Sequence, residues 1–173
     1  MKIAKSLGAG RVVGTGRNLE TGERVKELGA DAFIDLNQPD EKLMDAFRKE
    51  AGEGYDVILD YLWGHPAEVL IRTFTPTSLG FARKRTRFIL IGMLAGRHVH
   101  LPAESVITSG LEIHGFGVPN TPEALKSIAE GTADVWDMIK HGALSIEIVR
   151  IPLKDIARAW ELEEHGKRIV VVP

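Results

Sequence analysis

A mainly parallel α/β sheet with helices on both faces is the architecture this sequence predicts, and two patterns predict it. Short β-branched and apolar runs at 11–15, 32–35, 55–60 and 87–92 alternate with segments of helical period at 19–28, 39–51 and 66–74. Most of these runs are continuously apolar, which marks strands buried on both faces and joined by helical crossovers. With 173 residues and 44% apolar content the chain is long enough to bury a real core.

The elements follow from local signals. Ile3, Ala4 and Leu7 share one face of a helix over 2–7 that has no cap and stops at Gly8. Strand 11–15 leads to Asn18, an N-cap for helix 19–28, whose Val25 and Leu28 mark the buried face before Gly29 closes it. Ala32 to Asp35 reads as a strand. Pro39 opens a helix carrying Leu43, Met44 and Phe47, and Gly52-Glu53-Gly54 ends it. Tyr55 to Asp60 reads as a buried strand, and Pro66 begins helix 66–74 with Val69, Leu70 and Phe74 at helical spacing. A polar, basic excursion over 75–87 precedes strand 87–92, the most apolar of the set. Residues 111–118 alternate and suit a sheet edge. A long helix over 121–141, a strand at 146–151, a helix over 153–165 and a final strand at 168–172 complete the chain. No Pro/Gly/Ser linker separates this last part. The expected organisation is therefore residues 1–119 as one mainly parallel α/β domain, and residues 120–173 as a helix-strand-helix-strand return segment packed on it.

Composition excludes several function classes. A net charge of −2 argues against general affinity for nucleic acid or anionic membrane, and small-molecule chemistry is the better expectation. With no cysteine, the chain offers no disulfide, thiolate zinc site or cysteine nucleophile, and it fits a reducing cytoplasm. Neither a signal peptide nor an apolar stretch of membrane-spanning length is present in the sequence.

The stretch with most chemical meaning is Arg11 to Asn18, a strand that stops at glycine and then presents an arginine. In a dinucleotide-binding sheet of the Rossmann type, the residue at the tip of the second strand chooses between cofactors. An acid there would hold the ribose 2′-hydroxyl. Gly16 followed by Arg17 leaves space and fixed positive charge for a 2′-phosphate. Gly14-Thr15-Gly16 is correctly placed between strand and helix to let a phosphate approach backbone amides. Gly8-Ala9-Gly10-Arg11-Val12-Val13-Gly14 has the wrong order, since it follows a helix and leads into a strand.

Along nearly its whole length the chain resembles the medium-chain dehydrogenase/reductases (zinc-type alcohol dehydrogenases), especially their quinone oxidoreductase branch. The resemblance is carried by Ile3 to Ala9, Leu28-Gly29-Ala30-Asp31 with Phe33-Ile34-Asp35, Tyr55 to Asp60, Ile89 to Met93, and Gly166-Lys167 before Ile169 to Pro173. It implies NADP(H) as cofactor and hydride transfer with a small carbonyl, quinone or alkene substrate. It puts Thr15, Gly16, Arg17 and Asn18 around the adenosine 2′-phosphate, Leu62 and Trp63 near the adenosine, and Gly92 and Met93 by the nicotinamide ribose. Gly115, Phe116 and Gly117 would flank the nicotinamide. In the family a first strand, a Gly-x-Gly-x-x-Gly loop and a catalytic domain precede the position of Ile3. The expectation is thus a C-terminal half, a shortened form or a naturally short reading frame, with substrate groups and any zinc on the absent domain. No catalytic residue is named.

Each candidate has a blander reading. Arg17 suits a solvated surface arginine, Trp63 a core or interface aromatic, and the glycines simple turns. His98 and His100 share a strand face but lack a third ligand, which reads as surface histidine. Arg83-Lys84-Arg85-Thr86-Arg87 reads as a solvated loop rather than a nucleic-acid patch. Asp56 and Asp60, four apart on a strand, do not converge as an acid/base pair. A non-catalytic fragment is the competing function. A methyltransferase ranks last, since it wants an acid where Gly16 stands. Two expectations concern edges: strand 111–118 should pair with its own copy in a homodimer, and strands 11–15 and 55–61 should either pair directly or be bridged by another copy, leaving a marginally stable chain.

Overall fold

A computed structural model describes residues 1–75, 84–117, 121–164 and 167–173. In chain order these are α1 (Lys2–Ser6), β1 (Val13–Gly16), α2 (Leu19–Glu27), β2 (Ala32–Asp35), α3 (Asp40–Ala51), β3 (Val57–Asp60), α4 (Gly64–Arg72), β4 (Thr86–Leu90), α5 (Ala103–Ile107), β5 (Leu111–Gly115), α6 (Pro122–Lys140), β6 (Ile148–Pro152), a 3-10 turn (Leu153–Asp155), α7 (Ile156–Glu161) and β7 (Arg168–Val172). Contacts divide the chain into residues 11–120 and a second unit of residues 1–10 with 121–173.

Within residues 11–120 every strand pair is parallel. β1 pairs with β2, Gly16 lying beside Asp35, and β3, β4 and β5 form a second sheet in that order with Asp60, Leu90 and Gly115 in register. Local chemistry builds the helices as expected. Asn18 Oδ1 accepts from the Glu20 amide at 2.8 Å, and Gly29 at φ 100° ends the following turn. α4 begins two residues before the expected Pro66, which occupies the first turn where no amide is needed.

Two side-chain cores hold this unit together. Ile34, Leu43, Phe47 and Val69 form one, lined by Val13, and Ala67, Ile71, Phe88 and Leu111 form the other. The first joins the β1–β2 sheet to α3 and α4 through side chains. Strands β1 and β3 therefore do not pair directly, which corrects that part of the expectation; side-chain packing on shared helices replaces backbone pairing. The reading of 55–60 as a buried strand is also corrected. Val57 is 44% and Leu59 58% exposed, because β3 is bonded on one side only and only its other face packs on the core.

β5 lies at the edge of its sheet, as its alternation predicts. The short helix α5 is absent from the sequence reading. It buries Ser105, whose Oγ lies 2.6 Å from Thr75 Oγ1. In the other unit, β6 pairs in parallel with β7, and α6 is capped by Thr121, whose Oγ1 accepts from the Ala124 amide at 3.2 Å. The expected helix 153–165 splits into the 3-10 turn and α7, and its last residue, His165, lies outside the described residues, as do Val118 of the expected edge strand, Gly166 of the C-terminal resemblance, and residues 76–83. No described helix is long and apolar enough to cross a membrane.

Candidate functional site

The residues put at the cofactor in the sequence lie at or just beyond the carboxyl ends of β1, β3, β4 and β5. Asp40 at the start of α3, just after β2, accepts from Arg72 at 3.4 Å and lies 2.9 Å from His65 Nε2 near the start of α4. Asp40 thus links the segment after β2 to the helix that follows β3. Crevices outside such strand ends are where open α/β sheets take ligands.

Around β1, Thr15 is exposed and Gly16 ends the strand, its carbonyl accepting from the Leu36 amide at 2.7 Å. Arg17 is exposed and forms no ion pair among the described residues, while its carbonyl accepts from Asn37 Nδ2. The Asn18 carboxamide oxygen is already engaged as the cap of α2. Gly16 has a packing cause that sequence reasoning missed. A Cβ there would meet the Phe33 ring at 3.1 Å, and one at Gly22 would meet the same ring at 2.7 Å.

After β3 and β4 the chain forms two loops in backbone contact. The Asp60 carbonyl accepts from the amides of Ile91 at 2.7 Å and Gly92 at 3.1 Å, and Leu62 O accepts from Ala95 N at 2.7 Å. Approach is close enough to require glycine, since a Cβ on Gly92 would lie 2.6 Å from Tyr61 O. The Trp63 ring packs edge-on against Phe88, centroids 6.0 Å apart, so much of it belongs to the core. Phe116 N donates to Leu90 O at 2.7 Å, which ties the chain just after β5 to the end of β4. Gly115 and Gly117 have open space where a Cβ would stand, so nothing in the fold demands glycine there. Leu62, Trp63, Gly92, Met93, Gly115 and Phe116 are thus brought together. No hydrogen bond among the described residues links them to Arg17.

Exposed apolar side chains gather at this edge: Tyr61, Met93, Leu94 and Phe116 are all more than half exposed. Sequence reading named only two of them. It also missed the role of Asp60, whose buried carboxylate accepts from Leu62 N and Trp63 N.

The remaining candidates stand apart. Lys84 pairs with Asp56 at 3.0 Å and Arg85 with Glu112 at 3.1 Å, so these two basic side chains are neutralised by neighbouring acids; Arg83 lies outside the described residues. His98 and His100 are exposed, and no group of three His, Asp or Glu among the described residues fits a metal ion. The described residues do not fit a zinc site.

A parallel α/β unit whose sheets run β2-β1 and β3-β4-β5, with its loops gathered at the carboxyl edge, is a Rossmann-type unit. Residues 1–131 match the family described as zinc-binding dehydrogenase, and the chain belongs to that family. D-arabitol-phosphate dehydrogenase of Enterococcus avium is 27% identical over 177 residues, covering 99% of this chain and 46% of the relative. Alcohol dehydrogenase 1 of Neurospora crassa is 25% identical over 150 residues, covering 86% and 38%. A mycobacterial quinone oxidoreductase superposes with a TM-score of 0.73 at 22% identity, covering 99% of this chain and 51% of that one. CurA of Vibrio vulnificus in complex with NADPH gives 0.68 at 18% identity, with 98% and 51% covered. The chain spans about half or less of the length of these relatives.

Proposed function

We propose that this chain is the nucleotide-binding portion of an NADP(H)-dependent oxidoreductase of the quinone oxidoreductase/alcohol dehydrogenase type. The observation that carries the reading is Arg17. It is exposed, without a carboxylate partner among the described residues, and it follows a strand tip with no acid and precedes the N-terminus of α2. An always-charged guanidinium beside a helix N-terminus suits a phosphate. NADPH in the CurA complex is consistent with that choice. When bound, the nicotinamide supplies the hydride chemistry. The chain's own part is to hold the 2′-phosphate with Thr15, Arg17 and Asn18 around the strand tip at Gly16, whose lack of a side chain Phe33 already requires, and to offer Leu62, Trp63, Gly92, Met93, Gly115, Phe116 and Gly117 as the wall along the remaining cofactor. The exposed apolar cluster of Tyr61, Met93, Leu94 and Phe116 suits the exclusion of water from that wall.

The substrate class is a small carbonyl, quinone or alkene, and its binding groups and any zinc belong to sequence outside these residues. Residues 1–119 serve the cofactor, and 120–173 serve as the return segment. A homodimer through the edge strand β5 and a cytoplasmic location complete the reading. A non-catalytic fragment is the second reading, favoured by the free edges that β1 and β3 turn away from their single partners.

Calorimetric titration of the chain with NADPH and NADH tests the proposal. NADPH should bind more tightly, and Arg17→Ala should weaken it about fivefold, the scale of one exposed charged contact, with less loss at high salt. Equal affinity for both cofactors, or no effect of Arg17→Ala, would remove Arg17 from the site.

A further inference from the structure

Trp63 holds a backbone conformation that belongs to glycine. Its φ of 52° and ψ of −158° lie where an L side chain is strained, and no other described non-glycine residue has a positive φ. Such a conformation persists only where its surroundings over-determine it. Here the surroundings are specific. Asp60, the last residue of β3, is 9% exposed, and its Oδ1 accepts from the Leu62 amide at 2.9 Å. Both carboxylate oxygens accept from the Trp63 amide, at 3.2 and 3.1 Å. The Asp60 carbonyl meanwhile receives Ile91 N and Gly92 N from the loop after β4. One residue therefore grips two loops, one through its carboxylate and one through its backbone. On the far side of Trp63, Gly64 sits so close to Ala95 that a Cβ on it would lie 2.7 Å from the Ala95 carbonyl oxygen.

We infer that Asp60 is a positioning residue: its carboxylate enforces the glycine-type backbone of Trp63 and so sets the 61–64 loop against the 91–96 loop at the edge where the cofactor is taken. Its consequence for binding rests on the NADP(H) reading, whereas its consequence for the backbone does not. Ionised carboxylate is the strongest acceptor for two converging amides, asparagine keeps one oxygen, and alanine keeps none. Trp63→Gly makes the same conformation free of strain, so Asp60 then has little left to enforce.

The experiment uses the full chain with Trp136→Phe and Trp160→Phe, which leaves Trp63 as its single indole. Amide exchange at positions 62 and 63 and the Kd for NADPH are measured for Asp60, Asp60→Asn and Asp60→Ala, each with Trp63 and with Trp63→Gly, and acrylamide quenching is measured in the three chains that keep Trp63. Exchange at both amides should quicken about tenfold in Asp60→Asn, the scale of a lost charge-assisted hydrogen bond, with quenching rising in step. The Kd should rise about tenfold in Asp60→Ala when Trp63 is present and less than about twofold in the Trp63→Gly background. Unchanged exchange in Asp60→Asn, or an equal Kd penalty in both backgrounds, would overturn the assignment. A parent chain that binds no NADPH defeats the cofactor reading alone, and the exchange series then upholds or overturns Asp60 by itself. If Asp60→Ala does not fold, Asp60→Asn, matched in size, carries the same decision.

Discussion

Replacing Gly16 by alanine separates two explanations for a glycine beside Arg17, phosphate approach and ring packing. The φ of Gly16 lies outside the left-handed region, so space alone decides the outcome. The new Cβ would lie 3.1 Å from two atoms of the Phe33 ring, some tenths of an ångström too near. Overpacking costs about 1–3 kcal/mol where a core cannot yield, and the half-buried Phe33 puts this site at the lower end, about 1 kcal/mol. Urea denaturation should show that loss as a lower midpoint with an unchanged slope. Phe33→Leu introduced beside Gly16→Ala should recover most of it relative to Phe33→Leu alone, since the clash partner is gone. The Kd for NADPH should change less than about twofold in Gly16→Ala, because a loss of about 1 kcal/mol in folding leaves the binding-competent population nearly full. Full stability with a large loss of NADPH affinity would refute the argument and return Gly16 to the phosphate.

Three further outcomes are expected. Tyr55 is raised to about 12, first by burial and next by the charge of Glu50, with Arg11 acting the other way. A phenol whose folded value exceeds its unfolded one contributes stability that is full below about pH 10 and is lost as pH rises through about 12. Denaturation midpoints should fall across that window and stay flatter in Tyr55→Phe, which at neutral pH loses about 1 kcal/mol with the hydrogen bond to Phe47 O. Phe88 is fully buried against Trp63, and Phe88→Ala should cost about 3–5 kcal/mol by the same urea measurement. In sedimentation, a homodimer through β5 should persist at micromolar concentration, and a monomer there would count against the edge as an interface.

What the sequence determined by itself is the order and kind of the elements other than α5 and the 3-10 turn, because those signals act within a few residues. Asn18 and Thr121 cap their own helices, Gly29 ends the turn beside it, and the apolar runs at 32–35 and 168–172 are strands with those bounds. The parallel class follows from strands and helices alternating. Tertiary structure alone decided which faces are covered and which glycines are forced. Val57 and Leu59 read as core by their hydrophobicity, yet β3 leaves them exposed because strand burial depends on neighbours that a local pattern does not contain. Gly16 read as a phosphate glycine until Phe33, seventeen residues on, occupied the space of its side chain. Asp60 looked like half of a failed acid pair, and only the turn that folds Leu62 and Trp63 back over it makes its carboxylate the anchor of the loop after β3. Packing distances of a few ångströms are set by the whole fold, whereas caps and strand runs are set by the chain beside them.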